Sequence, residues 1–275
     1  MTLQNKKIRI GILGCGAIGS RIAKSVKKEL KATYRLNGLY DITHEKAYQL
    51  EKSLKINNLI KPSFKKFLSS VDIVVEAVNS PDTAWIIKQA IKARKHVLSM
   101  SVGKLLKSSD IFRLATKNRC CVLLPSGAVA GIDAIKAASL GNISSITLTT
   151  RKPPGGFGHN PHLISRGINL AKITEETVLF QGTVDEAVKY FPQNINVAAT
   201  VALAAHDKSK VIIRIITSPN FKVNSHELEV LGDFGRIVTR TDNVVCPDNP
   251  KTSYLAVLSG IQTLKQFSQG LKIGT

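Results

Sequence analysis

Gly14, Gly16 and Gly19 stand in the run Gly14-Cys15-Gly16-Ala17-Ile18-Gly19, a GxGxxG spacing that could hold a diphosphate. The first glycine suits a tight turn, the second lets backbone approach a pyrophosphate, and the third lets a helix pack closely on a strand. Ala17 and Ile18, candidate cofactor contacts, lead into that helix, whose free N–H groups and positive dipole end attract an anion. Asp41 ends a second apolar run, Leu36 to Tyr40, about 20 residues further on, where a carboxylate accepts hydrogen bonds from ribose hydroxyls. NAD is therefore the expected cofactor. His44, Lys46 and the positive net charge would favour an extra phosphate, which leaves NADP as the alternative.

Other reactive side chains form weaker patterns. The cysteines Cys15, Cys120, Cys121 and Cys246 contain no CxxC pair, so neither a zinc site nor a thioredoxin-like dithiol is expected. None has a neighbouring histidine base in sequence, which argues against a thiolate nucleophile of the acylating semialdehyde dehydrogenase kind. His159 and His162 have a spacing a metal could use, but no Cys or acid cluster accompanies them, and no metal is expected. His44, His96 and His206 read as structural or surface residues. His226, in Asn224-Ser225-His226-Glu227, reads from its position alone either as a hydrogen-bonding structural residue or as a proton acceptor.

The elements that would carry these residues alternate in the first half. An apolar strand, Ile8 to Leu13, precedes the glycine run, and Ser20 to Leu30 has helical spacing. Further βα units follow: Leu36 to Tyr40 with Glu45 to Leu54, Asp72 to Val78 with Thr83 to Ala93, and His96 to Met100 with Ser109 to Lys117, before a strand at Cys120 to Leu124. This predicts an α/β fold with an N-terminal Rossmann doubly wound parallel sheet. Ligands bind beyond the carboxyl ends of such strands, so Glu76 to Asn79, Ser101 to Gly103 and Pro125 to Ala130 would form the rim, with Asn79 a cofactor contact. After Pro125 the pattern becomes α+β, with strands expected at Ser145 to Thr150, Val211 to Thr217, His226 to Leu231 and Arg236 to Thr239 in a mixed or antiparallel sheet. Gly155 to Arg166 reads as a mobile loop or lid, and a helix is expected from Asn249 onward. The domain expectation is 1–126 for dinucleotide binding, 127–245 for substrate and catalysis, and 246–275 as a C-terminal helix packing back on the first domain.

Composition narrows the class. The 275 residues are 43% hydrophobic, enough for substantial cores. No apolar run reaches the roughly 18 residues of a membrane helix, and Met1 to Lys7 is too short and polar for a signal peptide. A soluble cytoplasmic protein without a membrane partner is expected. The 39 Lys and Arg against 19 Asp and Glu give a formal charge of +20. These cations are scattered, as in Lys24, Lys27, Lys28 and Lys31, and no nucleic-acid motif accompanies them. A solvated basic surface that attracts anionic substrates is expected rather than a nucleic-acid binder.

Taken together, GCGAIG at 14–19, PSGAVAGID at 125–133, TTRKPP at 149–154, FPQNINVAA at 191–199, NSHE at 224–227 and NPKTS at 249–253 resemble the L-aspartate dehydrogenase family over nearly the whole chain. The resemblance implies a Rossmann domain followed by a domain similar to that of dihydrodipicolinate reductase. It implies NAD(P)-dependent oxidation of L-aspartate to iminoaspartate, which hydrolyses to oxaloacetate and ammonia or feeds quinolinate and NAD synthesis, a link to quinolinate synthase. It also implies a homodimer, a catalytic His226, and cofactor contacts at Ala130 and Asn196. A substrate with two carboxylates needs fixed donors, for which Arg151, Lys152 and Lys251 are candidates. Ser101-Val102-Gly103-Lys104 departs from the family pattern, since a small residue is expected where Lys104 stands near the nicotinamide rim. The rival readings are another two-domain reductase acting on an imine or semialdehyde, and a non-catalytic NAD-binding regulator.

Overall fold

The computed structural model describes residues 7–192, 195–247 and 249–274, which form two compact units. The first unit contains residues up to Pro125 together with Gly260–Lys272. It opens with β1 (Ile8–Leu13), α1 (Ala17–Lys28), β2 (Tyr34–Tyr40), α2 (His44–Leu54), α3 (Phe64–Ser70) and β3 (Ile73–Glu76), followed by α4 (Thr83–Lys92), β4 (His96–Ser99), α5 (Asp110–Lys117) and β5 (Val122–Leu123). The strands lie in the order β2-β1-β3-β4-β5, all parallel. Strand β1 has β2 on one side and β3 on the other, so the strand order reverses beside it, the place where an open α/β sheet binds its ligand.

Burial explains why the apolar runs became central strands. Ile10, Ile12, Ile73, Val75, Val97 and Leu98 are fully buried, and each such side chain contributes about 1.5–3 kcal/mol relative to exposure. Phe67 of α3 fills the space under Gly11 and Gly38, where an added Cβ would meet its ring at 2.7 and 3.1 Å. Ser63 caps α3 by accepting from Lys66 N–H.

The second unit, Ser126–Ser259 with the last described residues, begins with α6 (Ile132–Ala138), β6 (Ile143–Lys152), α7 (Pro161–Ser165) and β7 (Thr177–Thr183). It continues with α8 (Val184–Tyr190), α9 (Ile195–Ala204), β8 (Val211–Thr217), β9 (Asn224–Gly232), β10 (Gly235–Asn243), β11 (Val245–Cys246) and β12 (Asn249–Ser253). The sheet order is β10-β9-β6-β8-β7. Only β6 and β8 pair in parallel, so the sheet is mixed. One face carries Ile146, Leu148, Ile213, Leu228 and Val230, all buried. Helix α9 is apolar and buried around most of its circumference, as expected of a helix inside a core.

Two local expectations change, and one strand lies where none was expected. The helix does not start at Asn249: β11 and β12 pair as a short antiparallel hairpin, and the last helix, α10 (Tyr254–Ser268), starts after it. Pro250 lacks a donor and Thr252 is β-branched, and both suit extended backbone better than a helix start of this kind. Strand β7 lies on the sheet edge and was hidden by its polar Gln181-Gly182-Thr183 end. The 155–166 stretch is folded rather than open. Asn160 caps α7 and donates to the Tyr190 carbonyl at 2.9 Å, and the His162 ring stacks on Tyr190 at 3.9 Å.

Helix α10 supplies the C-terminal contribution to the first unit. Leu264 accepts a hydrogen bond from the Tyr34 hydroxyl at 2.8 Å, and Phe267 packs against His96 with ring centroids 5.1 Å apart. Among the described residues no helix is long and apolar enough to cross a membrane.

Candidate functional site

In the first unit the carboxyl ends of β1, β2 and β3 enclose a cavity of about 550 Å³. Gly14, Gly16, Asp41, Asn79 and Ser80 line it, as do Lys46 and Trp85. Gly14 has φ +93°, and a Cβ there would lie 2.5 Å from the Ala77 carbonyl oxygen. That backbone conformation favours glycine, and the contact leaves no room for a side chain. A Cβ on Gly19 would overlap the Gly14 carbonyl, so glycine is needed for α1 to close on the turn. Gly16 differs, because a Cβ there meets nothing within 4 Å. It is the N-cap of α1 and offers no side-chain cap, so the N–H groups of Ala17 and Ile18 begin a helix with neither a capping side chain nor an acidic residue in its first turn. An anionic diphosphate matches this cradle in shape and charge.

Asp41 plays a part that its spacing did not reveal. Its Oδ2 accepts the Cys15 N–H at 2.7 Å and its Oδ1 accepts the Thr43 N–H at 2.8 Å. The carboxylate thus ties the glycine turn to the end of β2 while standing on the cavity wall. Cys15 is buried, and burial together with the Asp41 charge pushes its thiol up to about 12. It is a packed thiol and not a nucleophile.

The second unit holds the other candidate residues. His226 faces Thr150 across the β9–β6 pair and is 6% exposed. Its Nδ1 lies 3.0 Å from Thr150 Oγ1, and its backbone carbonyl accepts from Thr241 Oγ1 at 3.3 Å. Burial, aided by the Lys152 charge, lowers the imidazole to about 4, so the ring is neutral at physiological pH. The ordinary value near 6.5 expected of an open histidine does not apply here.

Lys152 stands two residues beyond Thr150 on β6, hence on the same face of the sheet. Burial brings its ammonium down to about 8, and its backbone carbonyl accepts from Thr217 Oγ1 at 2.9 Å. Arg151 points to the opposite face, where its Nη1 pairs with Glu227 Oε2 at 3.1 Å. The structure therefore gathers Lys152 with His226 and leaves Arg151 apart. Ala130 is exposed, and its carbonyl accepts from Thr239 Oγ1 at 3.0 Å. Asn196 is exposed in the first turn of α9. The side chain of Lys251 lies outside the described residues.

Sequence reasoning overlooked Thr150 and Trp85, and it placed Glu76 on the rim, where the structure buries it completely. Thr150 sits inside the quoted TTRKPP motif, but its role depends on which strand β6 faces. Trp85 is 57% exposed, unusual for the lone tryptophan of a chain, and that exposure is visible only in the fold. Among the described residues, no three His, Cys, Asp or Glu side chains gather into a group able to hold a metal ion.

Comparison with known proteins agrees with this layout. A family model described as aspartate dehydrogenase, C-terminal, matches residues 133–267, and one described as homoserine dehydrogenase, NAD binding domain, matches residues 14–125. The L-aspartate dehydrogenase of Methanosarcina mazei is 45% identical over 275 residues, covering 98% of this chain and 100% of that protein. That of Methanococcus maripaludis is 39% identical over 272 residues, again 98% and 100%. In fold alone, the chain is similar to aspartate dehydrogenase from Thermotoga maritima, with a TM-score of 0.73 at 24% identity over 97% of this chain and 99% of that one. A homoserine dehydrogenase from Thiobacillus denitrificans gives 0.62 at 14% identity over 96% and 73%. With two relatives of the same kind matched over nearly their full length, each well above 30% identity, this chain belongs to the aspartate dehydrogenase family.

Proposed function

We propose that the protein oxidises L-aspartate with NAD, giving iminoaspartate, reduced cofactor and a proton. The observation that carries the catalytic part is His226, buried and neutral, with Thr150 on one ring nitrogen and a partly buried cation, Lys152, on the same sheet face. When bound, the nicotinamide supplies the two-electron acceptor for the substrate Cα–H bond.

The chain's own residues handle charge and protons. The ammonium nitrogen of aspartate must lose protons for its lone pair to form the C=N bond. A neutral imidazole accepts such a proton through the ring nitrogen that Thr150 does not engage. A base lowered to about 4 is weak in the free protein. The arriving substrate brings two carboxylates, and negative charge beside the imidazole favours its protonated form. Lys152 suits one of those carboxylates, since a partly buried ammonium gains from a charge-assisted hydrogen bond. The same pair can serve the later attack of water on the imine, which yields oxaloacetate and ammonia.

NAD is proposed as the preferred cofactor, because a 2′-phosphate beside Asp41 would place like charges together. Lys46, which also lines the cavity, pulls the other way, but a close carboxylate outweighs a solvated ammonium. Homodimer formation, a cytoplasmic location and supply of iminoaspartate to quinolinate synthesis are proposed on the family resemblance.

A screen of L- and D-amino acids with NAD and NADP, read as reduced-nicotinamide absorbance, tests the reading. L-Aspartate with NAD is expected to turn over fastest. Tight cofactor binding with no turnover on any amino acid or keto acid would favour a regulator instead.

A further inference from the structure

Glu76 ends β3 and is completely buried, yet it takes no part in the chemistry described above. Its Oε1 lies 2.9 Å from Val78 N and 2.8 Å from Ser101 Oγ, and its Oε2 lies 2.6 Å from Ser99 Oγ. Every described partner is neutral, with no lysine, arginine or histidine among them. Ser101 Oγ is also 2.8 Å from the Val78 carbonyl oxygen. One residue therefore joins the end of β3, the end of β4 and the segment after each. Ala77, Val78, Asn79 and Ser80 form part of the cavity wall beside Gly14.

The hydrogens around this acid can be counted. A serine hydroxyl donates one proton. Ser101 Oγ stands between two oxygens, Glu76 Oε1 and Val78 O, at the same short distance from each. If Glu76 were a carboxylate, both would be acceptors and one contact would set lone pair against lone pair. If Oε1 carries a proton, Ser101 accepts from Glu76 and donates to Val78 O, Oε2 accepts from Ser99, and each contact has one hydrogen. A buried charge with only neutral partners is also costly, whereas the neutral acid is not.

We infer that Glu76 is a neutral, proton-bearing carboxylic acid that acts as a positioning residue, pinning the 77–80 rim of the dinucleotide cavity to the end of β4. Burial raises its proton affinity in the same direction and outweighs the hydrogen bonds from Ser99, Val78 and Ser101, the Ser101 backbone included, which favour the carboxylate. The link to cofactor affinity rests on the dinucleotide reading of the cavity, while the protonation state does not.

Two measurements on the full chain test this. Infrared difference spectra of wild type against Glu76→Gln near neutral pH are expected to show one protonated-carboxyl C=O band that the variant lacks. A carboxylate signal in its place would overturn the assignment, whatever the cavity binds. NADH affinity, followed by its fluorescence, is expected to fall about tenfold or more in Glu76→Ala and Ser101→Ala, the range of a lost buried hydrogen bond, and to fall less in Glu76→Gln, whose amide NH2 can donate to Ser101 but cannot accept from the Val78 N–H. Steady-state kinetics should show the loss in the KM for NAD and not in kcat at saturation. If Glu76→Gln falls as far as Glu76→Ala, or Ser101→Ala binds NADH as wild type does, the rim is not held in this way. Should Glu76→Ala fail to fold, Glu76→Gln and Ser101→Ala still decide the matter.

Discussion

His226 and Thr150 face each other across two antiparallel strands, with Nδ1 and Oγ1 3.0 Å apart in the buried face of the second sheet. The contact occupies Nδ1, so the proposed proton transfer would use the other ring nitrogen. Thr150→Val keeps the shape of the side chain and removes the hydroxyl. Turnover should fall about tenfold or more, because the imidazole loses its orienting partner and a buried nitrogen goes unpaired. Thr150→Ser should recover most of the loss. Equal kcat in wild type and Thr150→Val would show that this hydroxyl does not orient the ring.

The pH dependence follows from the same burial. Under the proposed mechanism, kcat/KM would report His226 as a base and Lys152 as a cation in the free enzyme. His226 is competent only when neutral, above about 4, and Lys152 is charged below about 8. The profile is therefore expected to rise through an acid limb near 4 and to fall through a limb near 8. Folding stability has a matching sign. The folded-state pKa of His226 is depressed, so the unfolded chain binds more protons as the pH falls below about 6.5, and stability drops toward pH 4. Thermal unfolding of wild type and His226→Gln across that interval checks it, and the variant should lose less. An acid limb at 6.5 would mean an open histidine.

The glycines separate folding from binding. Gly16→Val should fold normally, since its Cβ meets nothing, yet lose most NADH affinity by filling the space where a diphosphate approaches. Gly19→Ala should destabilise the fold by about 1–3 kcal/mol or more, because its Cβ overlaps the Gly14 carbonyl. Thermal melts and fluorescence titrations on both variants make the comparison. Unchanged affinity in Gly16→Val would remove the cavity from the cofactor.

Cofactor choice tests Asp41. Wild type should favour NAD in kcat/KM, and Asp41→Ser should shift the ratio toward NADP. The substitution also frees the Cys15 and Thr43 N–H groups, so a drop in stability of about 1–3 kcal/mol should accompany it. A wild-type preference for NADP of tenfold or more, about 1.4 kcal/mol, would mean that Asp41 does not face the ribose.

The first unit was legible because its information is local. Ile8 to Leu13 is a buried apolar run, and the glycine spacing follows it directly, so strand, turn and helix could be read in one window. The family motifs drew His226 and Lys152 out of the second unit, but their surroundings were not legible. Thr150 is 76 residues from His226 in sequence, and only strand register joins them. Adjacency in sequence even misled: Arg151 and Lys152 are neighbours, and the strand period sends them to opposite faces. The buried value of the imidazole depends on packing that no single segment encodes. The anchoring of residues 155–166 likewise depends on the ring of Tyr190, which belongs to another helix.

The most direct measurement pairs turnover with binding in one variant. Reduction of NAD by L-aspartate and NADH affinity are measured side by side in wild type and His226→Ala. A fall of about 10²–10⁴-fold in turnover with NADH affinity unchanged is predicted, as expected for loss of a general base. Wild-type turnover in folded His226→Ala would contradict the assignment of His226 as the proton acceptor.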